Sequence, residues 1–495
     1  MRRADGRMGG WVAAVGALFL SADPPIRPSA QWRPEERVLI SDFSVVDAVA
    51  ASPWLVFAAT RHGLLIYDRV ARAWRPPVTT LEGYPASRVR VAIADQVGNA
   101  VWLSVGLGDG YVRYDLDAAL WTRGTPPPEA LGRVLTVEAA LARAPAADAL
   151  RALILTDPRL RTYQFTAAAA TPDRSELYFG TNGMGLVRVD PLTGQWQALS
   201  FGLVAPGVGA IAAGPGGVWA AANARPGERR GFTWVAADLS ATRTQEGGGA
   251  ALGFTFLSPR RLLALRSALW LATEQGVLRI DLSGATGASA RRFDVAGAAG
   301  ATSLAPAPDG VWVGTARGVA VITGDDHVVP IGAPDVVVLS LLAVRETLWV
   351  GTAAGVGRLL PGSSAITEPA ELAQRPPPSL RVPILALARL QDTIVLATER
   401  ELAWRNAATG AWTMLPTPLA LGVPTTLAAD PEGGVWIGGT QGLARADLGR
   451  AYIRVLTVPV DVPAAVRDVV ADRDYVWAAT DSGLVRFDRR AALAR

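Results

Sequence analysis

Few residues in this 495-residue chain are of types that do chemistry, and their spacing is sparse. There are two histidines: His62 in a hairpin turn, and His327 directly after Asp325-Asp326 in a loop. No HxxxH or HExxH pattern links them to a metal site. His327 beside two carboxylates has the makings of an acid/base group or a metal ligand, although a lone loop histidine is by default a solvated one. Asp recurs after successive apolar segments, at Asp68, Asp115, Asp190, Asp281, Asp447 and Asp488. Such a series suits calcium or a ring of carboxylates, but an Asp there more simply accepts backbone N–H groups of the next turn. The glycine-rich stretches at 106–110 and 214–217 have no helix behind them to hold a phosphate and read as hairpins. With no Cys in the chain, thiolate metal sites and cysteine nucleophiles are excluded. The sequence therefore names no catalytic residue, no metal ligand, no cofactor and no specific binding residue.

The charges point to no nucleic acid. All 48 basic residues are Arg, against 44 acidic ones, and they are scattered rather than gathered into a stripe. The short pairs Arg229-Arg230 and Arg291-Arg292 sit in loops, where solvated charge is the default. Half the residues are hydrophobic and only 19% are charged, so the chain is a well-buried globular protein rather than a disordered one.

The first 30 residues read as a signal peptide and Pro-rich leader. Arg2, Arg3 and Arg7 precede the apolar run Trp11–Leu20, and small residues allow cleavage after Ala22 or Ala30. That run is shorter than the roughly 20 residues a membrane span needs, so no transmembrane segment is expected after cleavage. An uncleaved anchor is the alternative. The expected location is periplasmic or extracellular, without disulfides.

One pattern recurs from about residue 36 to 490: Val-Trp-(apolar)-(Gly/Ala)-Thr, then Gly, an apolar strand and often Asp. It is clearest in Val311–Ile322, Leu348–Leu359, Leu269–Asp281, Val435–Asp447 and Val476–Asp488. Ten copies place the Trp, or its equivalent, at Val56, Trp102, Tyr178, Trp219, Trp270, Trp312, Trp349, Val395, Trp436 and Trp477. Apart from one gap of 76 residues, the spacings run from 37 to 51, the length of a four-stranded propeller blade. In one such period, strands are expected at Thr425–Ala429, Val435–Gly438 and Leu443–Ala446, with a positive-φ reversal at Gly442. A fourth strand ends at an aromatic, as at Trp196 and Trp412. The repeated Trp then wedges between neighbouring sheets instead of forming carbohydrate platforms.

The blade motif resembles the two-component-regulator propeller repeat, most fully in Arg88–Asp115 and Val466–Asp488. Ser104-Val105 departs from the usual Gly-Thr. The resemblance implies a β-propeller, often the extracytoplasmic sensing part of a membrane histidine kinase, while saying little about ligand. The expected fold is all-β: ten four-stranded blades in a single ring, with Glu36–Asp42 supplying the last strand of the final blade and so covering its edge. Two five-bladed rings are the alternative.

The 76-residue gap holds Pro126–Leu160, an Ala-, Leu- and Arg-rich insertion that Pro145 splits into two short helices. It is either a plug packed on the ring or a docking element for a partner. The expected function is an exported, non-catalytic binding or protein-interaction module of the cell envelope, sensory or scaffolding. Its partner is a protein, such as a separate membrane protein, or else a small molecule or glycan. The alternative is a propeller enzyme, a lyase or glycan hydrolase acting in the central channel.

Overall fold

A computed structural model describes residues 32–494 apart from 86, 98, 107–109, 125, 130–133, 145–155, 157–159, 248–255, 257, 283–288, 296–299, 332–334, 370–379 and 406–410. The expected signal peptide and leader, and the expected second helix of the insertion, lie outside the described residues. Among those described, no helix is long and apolar enough to cross a membrane.

Each repeat folds into an up-and-down antiparallel sheet, giving ten sheets, numbered 1 to 10 along the chain. Nine have the expected four strands. Among the described residues sheet 7 has three (Val338–Val344, Thr347–Thr352, Gly355–Leu359), with an isolated bridge from Arg358 to Thr367. The N-terminal strand Arg37–Ile40 pairs with Gly483–Asp488 and completes sheet 10, as its sequence position suggests.

The register explains the motif. The aromatic lies in the second strand, and the motif Arg stands opposite it in the third at Trp102/Arg113, Trp270/Arg279, Trp436/Arg445 and Trp477/Arg486. Two of these guanidiniums, Arg113 and Arg279, lie 5.5 Å from the centres of their rings, a cation–π contact. In sheet 1 the equivalent residue is Phe57, not Val56: Phe57 pairs with Ala50 as Trp477 pairs with Val470. The motif Thr staples its hairpin. Thr480 Oγ1 donates to Gly483 O (2.7 Å) and accepts from Ser482 N (3.2 Å), and Thr60, Thr273, Thr315 and Thr352 repeat this donation. The Gly after it is needed for space: a Cβ on Gly442 would lie 2.4 Å from Leu456 O, and Gly442 does not have the positive φ expected of it. Trp196 and Trp412 open their fourth strands instead of ending them.

The neighbour relations of the sheets correct one expectation. Ten blades are present, but they do not follow one circle. Sheets 4 to 10 succeed one another and then close, because the first strand of sheet 10 (Val466–Ala471) packs against that of sheet 4 (Val208–Gly214). Hydrogen bonds mark successive neighbours: Thr302 Oγ1 to Val338 O (2.7 Å), Ser340 Oγ to Ile384 O (3.1 Å) and Thr425 Oγ1 to Val466 O (2.7 Å). At the closing seam, Trp477, Ala479 and Leu484 of sheet 10 share a core with Ile211, Val218 and Val235 of sheet 4. The remaining sheets form a second sector in the order 3, 1, 2, and Val56 and Tyr178 of sheets 1 and 3 belong to the same core as the closing seam. Thr166 Oγ1 of sheet 3 donates to Val46 O of sheet 1, and Phe57 of sheet 1 packs with Val101 and Leu103 of sheet 2.

The insertion accounts for the split. Its helix α1 (Val137–Ala142), N-capped by Thr136, lays Ala140 and Leu141 over Leu177, Phe179 and Val187 of sheet 3. In chain order that face would receive sheet 2. A helix occupies it, so the three-sheet sector ends there, and the free face of sheet 4 is left to sheet 10.

Candidate functional site

One position per sheet lines the inside of the seven-sheet ring: the first-strand residue opposite the small side chain two places after the motif aromatic. These residues are Ala210, Arg261, Ser303, Ser340, Ala386, Thr426 and Asp468. The partner must be small because the hydroxyls sit over it; a Cβ on Gly314 or Gly351 would lie 2.4 or 2.2 Å from Ser303 Oγ or Ser340 Oγ. Asp468 is the one carboxylate of this belt, and its side chain is 2% exposed. Its Oδ2 accepts from Ile211 N (3.1 Å), and its Oδ1 accepts from Arg261 Nη1 (2.7 Å) and Thr426 Oγ1 (3.1 Å). Nearby, Arg467 is held by Asp481 through two bonds of 3.0 and 2.7 Å. The cavity between these side chains is about 100 Å³, and the bonds to Asp468 join sheets 4, 5, 9 and 10 beside it.

The three-sheet sector has a larger space between its first strands. Its belt residues are Ala48, Val91 and Ala167. A cleft of about 270 Å³ lies between the first strands, walled by Val49, Ile93 and Ala169 and by Val134 and Leu135 of the insertion. Arg143 and Arg174 line it, both exposed, and neither guanidinium has a hydrogen-bond or carboxylate partner among the described residues. Sequence reasoning missed this cleft, because nothing local signals that three distant first strands meet an insertion. A further cavity of about 280 Å³ borders the last strand of sheet 7, among Val356, Ile366 and Leu380.

The residues singled out by sequence do not converge on either space. His62 Nδ1 lies 2.7 Å from Asp42 O, and exposed His327 lies 3.6 Å from Asp325. The recurring aspartates cap turns: Asp68, Asp115 and Asp190 each accept two backbone N–H bonds, and Asp447 and Asp488 accept one each. The bonds from Thr193 and Leu192 hold the Asp190 carboxyl below its ordinary range. Asp281 pairs with Arg279 at 3.0 Å. Among the described residues, no three His, Asp or Glu side chains gather as a metal ion would require.

The most buried charge cluster ties the C-terminus to the ring. Arg489, 1% exposed, opens helix α2 (Arg489–Ala494) and bonds Asp430 Oδ1 (3.0 Å) and Arg473 O (2.9 Å). Asp430 Oδ2 accepts from Arg445 Nε (2.9 Å) and Trp436 Nε1 (3.1 Å). Every oxygen of Asp430 is thus engaged by the protein itself.

No protein-family model and no curated protein matches the chain. Solved structures do. The extracellular domain of a hybrid two component system from B. thetaiotaomicron aligns over 91% of this chain and 72% of its own, at 11% identity and a TM-score of 0.45. A catalytically inactive virginiamycin B lyase from Staphylococcus aureus, crystallised with quinupristin, aligns over 57% of this chain and 94% of its own, at 15% identity and a TM-score of 0.45. A streptogramin B lyase gives 58%, 95%, 15% and 0.45 for the same quantities. At such low identity and TM-score, these similarities carry no argument about ligand or reaction.

Proposed function

We propose that the protein is an exported binding module of the cell envelope, sensory or scaffolding, and that its binding site is the cleft of the three-sheet sector. The observation that carries this reading is the contrast between its two central spaces. In the ring channel Asp468 is bonded by Ile211, Arg261 and Thr426 beside a space of about 100 Å³. In the sector about 270 Å³ is open, with two guanidiniums that the described protein does not pair. Export rests on the charged and apolar pattern of residues 2–22, and a sensory role on the resemblance of the blade motif to the two-component-regulator propeller repeat. A glycan hydrolase working in the channel would need two carboxylates facing one reacting bond, and a lyase a base and an acid converging on one. Asp468 is the carboxylate that the described channel belt offers, and both its oxygens accept protein hydrogen bonds.

The test is crosslinking capture from an envelope fraction with the wild-type protein and an Arg143→Glu, Arg174→Glu variant. Both side chains are exposed, so the reversal leaves the core intact. A partner or small ligand retained by the wild type and lost from the variant supports the reading. Equal retention by both would move the site elsewhere.

A further inference from the structure

The cleft presents polypeptide backbone, and we propose that it takes an extended, acidic peptide segment. The guest backbone pairs with the free edge of an innermost strand, and its carboxylates meet Arg143 and Arg174. The inference rests on the reading that this cleft is the binding site.

The direction of the strand edges follows from the hairpins. In each sheet of the sector the first strand is bonded on one side only, to the second. Just past these strands, Ser52 N bonds Leu55 O, Asp95 N bonds Ala100 O and Thr171 N bonds Glu176 O. Backbone groups alternate in direction along an antiparallel ladder, so the residues one and three places earlier point away from the second strand. They are Ala51 and Val49, Ala94 and Ala92, and Ala170 and Ala168, and all six line the cleft. Gln96 bears this out, because its Nε2 donates to Ala51 O and Ala94 O at 3.3 Å each. Among the described residues, the other outward groups of these six have no hydrogen-bond partner.

An unpaired strand edge is a template for another extended chain, which meets N–H and C=O in the same alternation. The cleft takes in the last three residues of each first strand, about 10 Å at about 3.3 Å per residue, so about three guest residues lie within it. Gln96 Oε1, buried and without a partner, is a further acceptor for a guest N–H. The rim selects the side chains. Arginines elsewhere in the molecule answer a carboxylate, as in Arg69–Glu176, Arg161–Glu246 and Arg467–Asp481. Arg143 and Arg174 do not, although Asp173 is adjacent in sequence, because Asp173 is bonded to Ser175 N and Oγ instead. A free guanidinium binds a carboxylate through charge-assisted bonds that a neutral side chain cannot match.

Random heptapeptides displayed on phage are panned against the purified full chain. The most enriched peptide is then synthesised and titrated by fluorescence polarisation. Enrichment of acidic sequences is expected. Arg143→Gln with Arg174→Gln should weaken that peptide about tenfold or more. Ala170→Pro removes one outward N–H while sparing the ladder of its own sheet, and should weaken it by a similar factor. N-methylating the peptide backbone leaves its side chains in place and should abolish binding to the wild-type protein, a test of pairing that holds even if Ala170→Pro does not fold. Acidic enrichment with binding lost to both the arginine variant and N-methylation supports the proposal. No enrichment, enrichment without acidic residues, or binding that either change leaves intact overturns it. If it is overturned while envelope capture remains sensitive to Arg143 and Arg174, the cleft binds another class of ligand. If capture is insensitive as well, the binding reading itself falls.

Discussion

Removing one side chain from the N-terminal strand should cost as much as removing one from the middle of the ring. Ile40 is fully buried (0%) in a strand only three residues from the start of the paired region, and it shares a core with Ile211, Val218 and Leu484 at the closing seam. Ile40→Ala deletes three buried carbons, at about 0.8 kcal/mol each, or about 2.4 kcal/mol in transfer free energy. The residual cavity raises the total toward about 4 kcal/mol, because the partners come from two sheets that cannot both move in. Equilibrium urea unfolding of the full chain measures it, with Ile437→Ala, also 0% exposed in sheet 9, as the comparison. Similar losses for the two variants are expected. If Ile40→Ala costs less than about 0.5 kcal/mol, as a fraying terminus would, the N-terminal strand does not close the ring and the seam reasoning fails.

Two further outcomes follow from buried polar groups. Asp430→Ala leaves the nearly inaccessible Arg489 with Glu432 alone and takes the carboxylate from Arg445 and Trp436 Nε1, and it should destabilise by about 3 kcal/mol; the double variant Asp430→Leu, Arg489→Met should recover part of this in the same urea assay. Burial pushes the Tyr114 phenol up to about 12, with lesser contributions from Glu82 and Asp115. Between the ordinary value of 10.0 and about 12 the unfolded chain therefore loses this proton first, so stability should fall as pH rises through that window. Tyr114→Phe should flatten that part of the profile, and an unchanged slope would show that Tyr114 is not the group responsible.

The blades were legible because their determinants are local. The aromatic, the small residue two places on, the stapling Thr and the space-saving Gly act within one hairpin, so each copy carries its own instructions. The turn-capping role of Asp68, Asp115 and Asp190 could be read for the same reason, from residues two or three places apart. The role of Glu36–Asp42 also came through, since an edge without a partner at each end of a repeat chain leaves one plausible pairing. Where the motif was weak, local reading slipped: LVFAAT offers Val56 and Phe57 as neighbours, and the bulge between Val46 and Ala48 decides for Phe57.

The grouping of the blades and the site were decided only by tertiary structure. All ten sheets present Ala, Val and Leu on both faces, so any sheet can follow any other, and the sequence of one blade does not specify its neighbour. The choice lies in surfaces far apart in the chain: α1 covers the face of sheet 3 that sheet 2 would have met, and sheet 10 takes the open face of sheet 4. The same long-range packing brings Arg143 and Arg174 to one cleft and joins Arg261 to Asp468 across the ring. Hydrophobic burial is strong but non-directional, so it sets that these sheets must be covered, and only the assembled shapes determine by what.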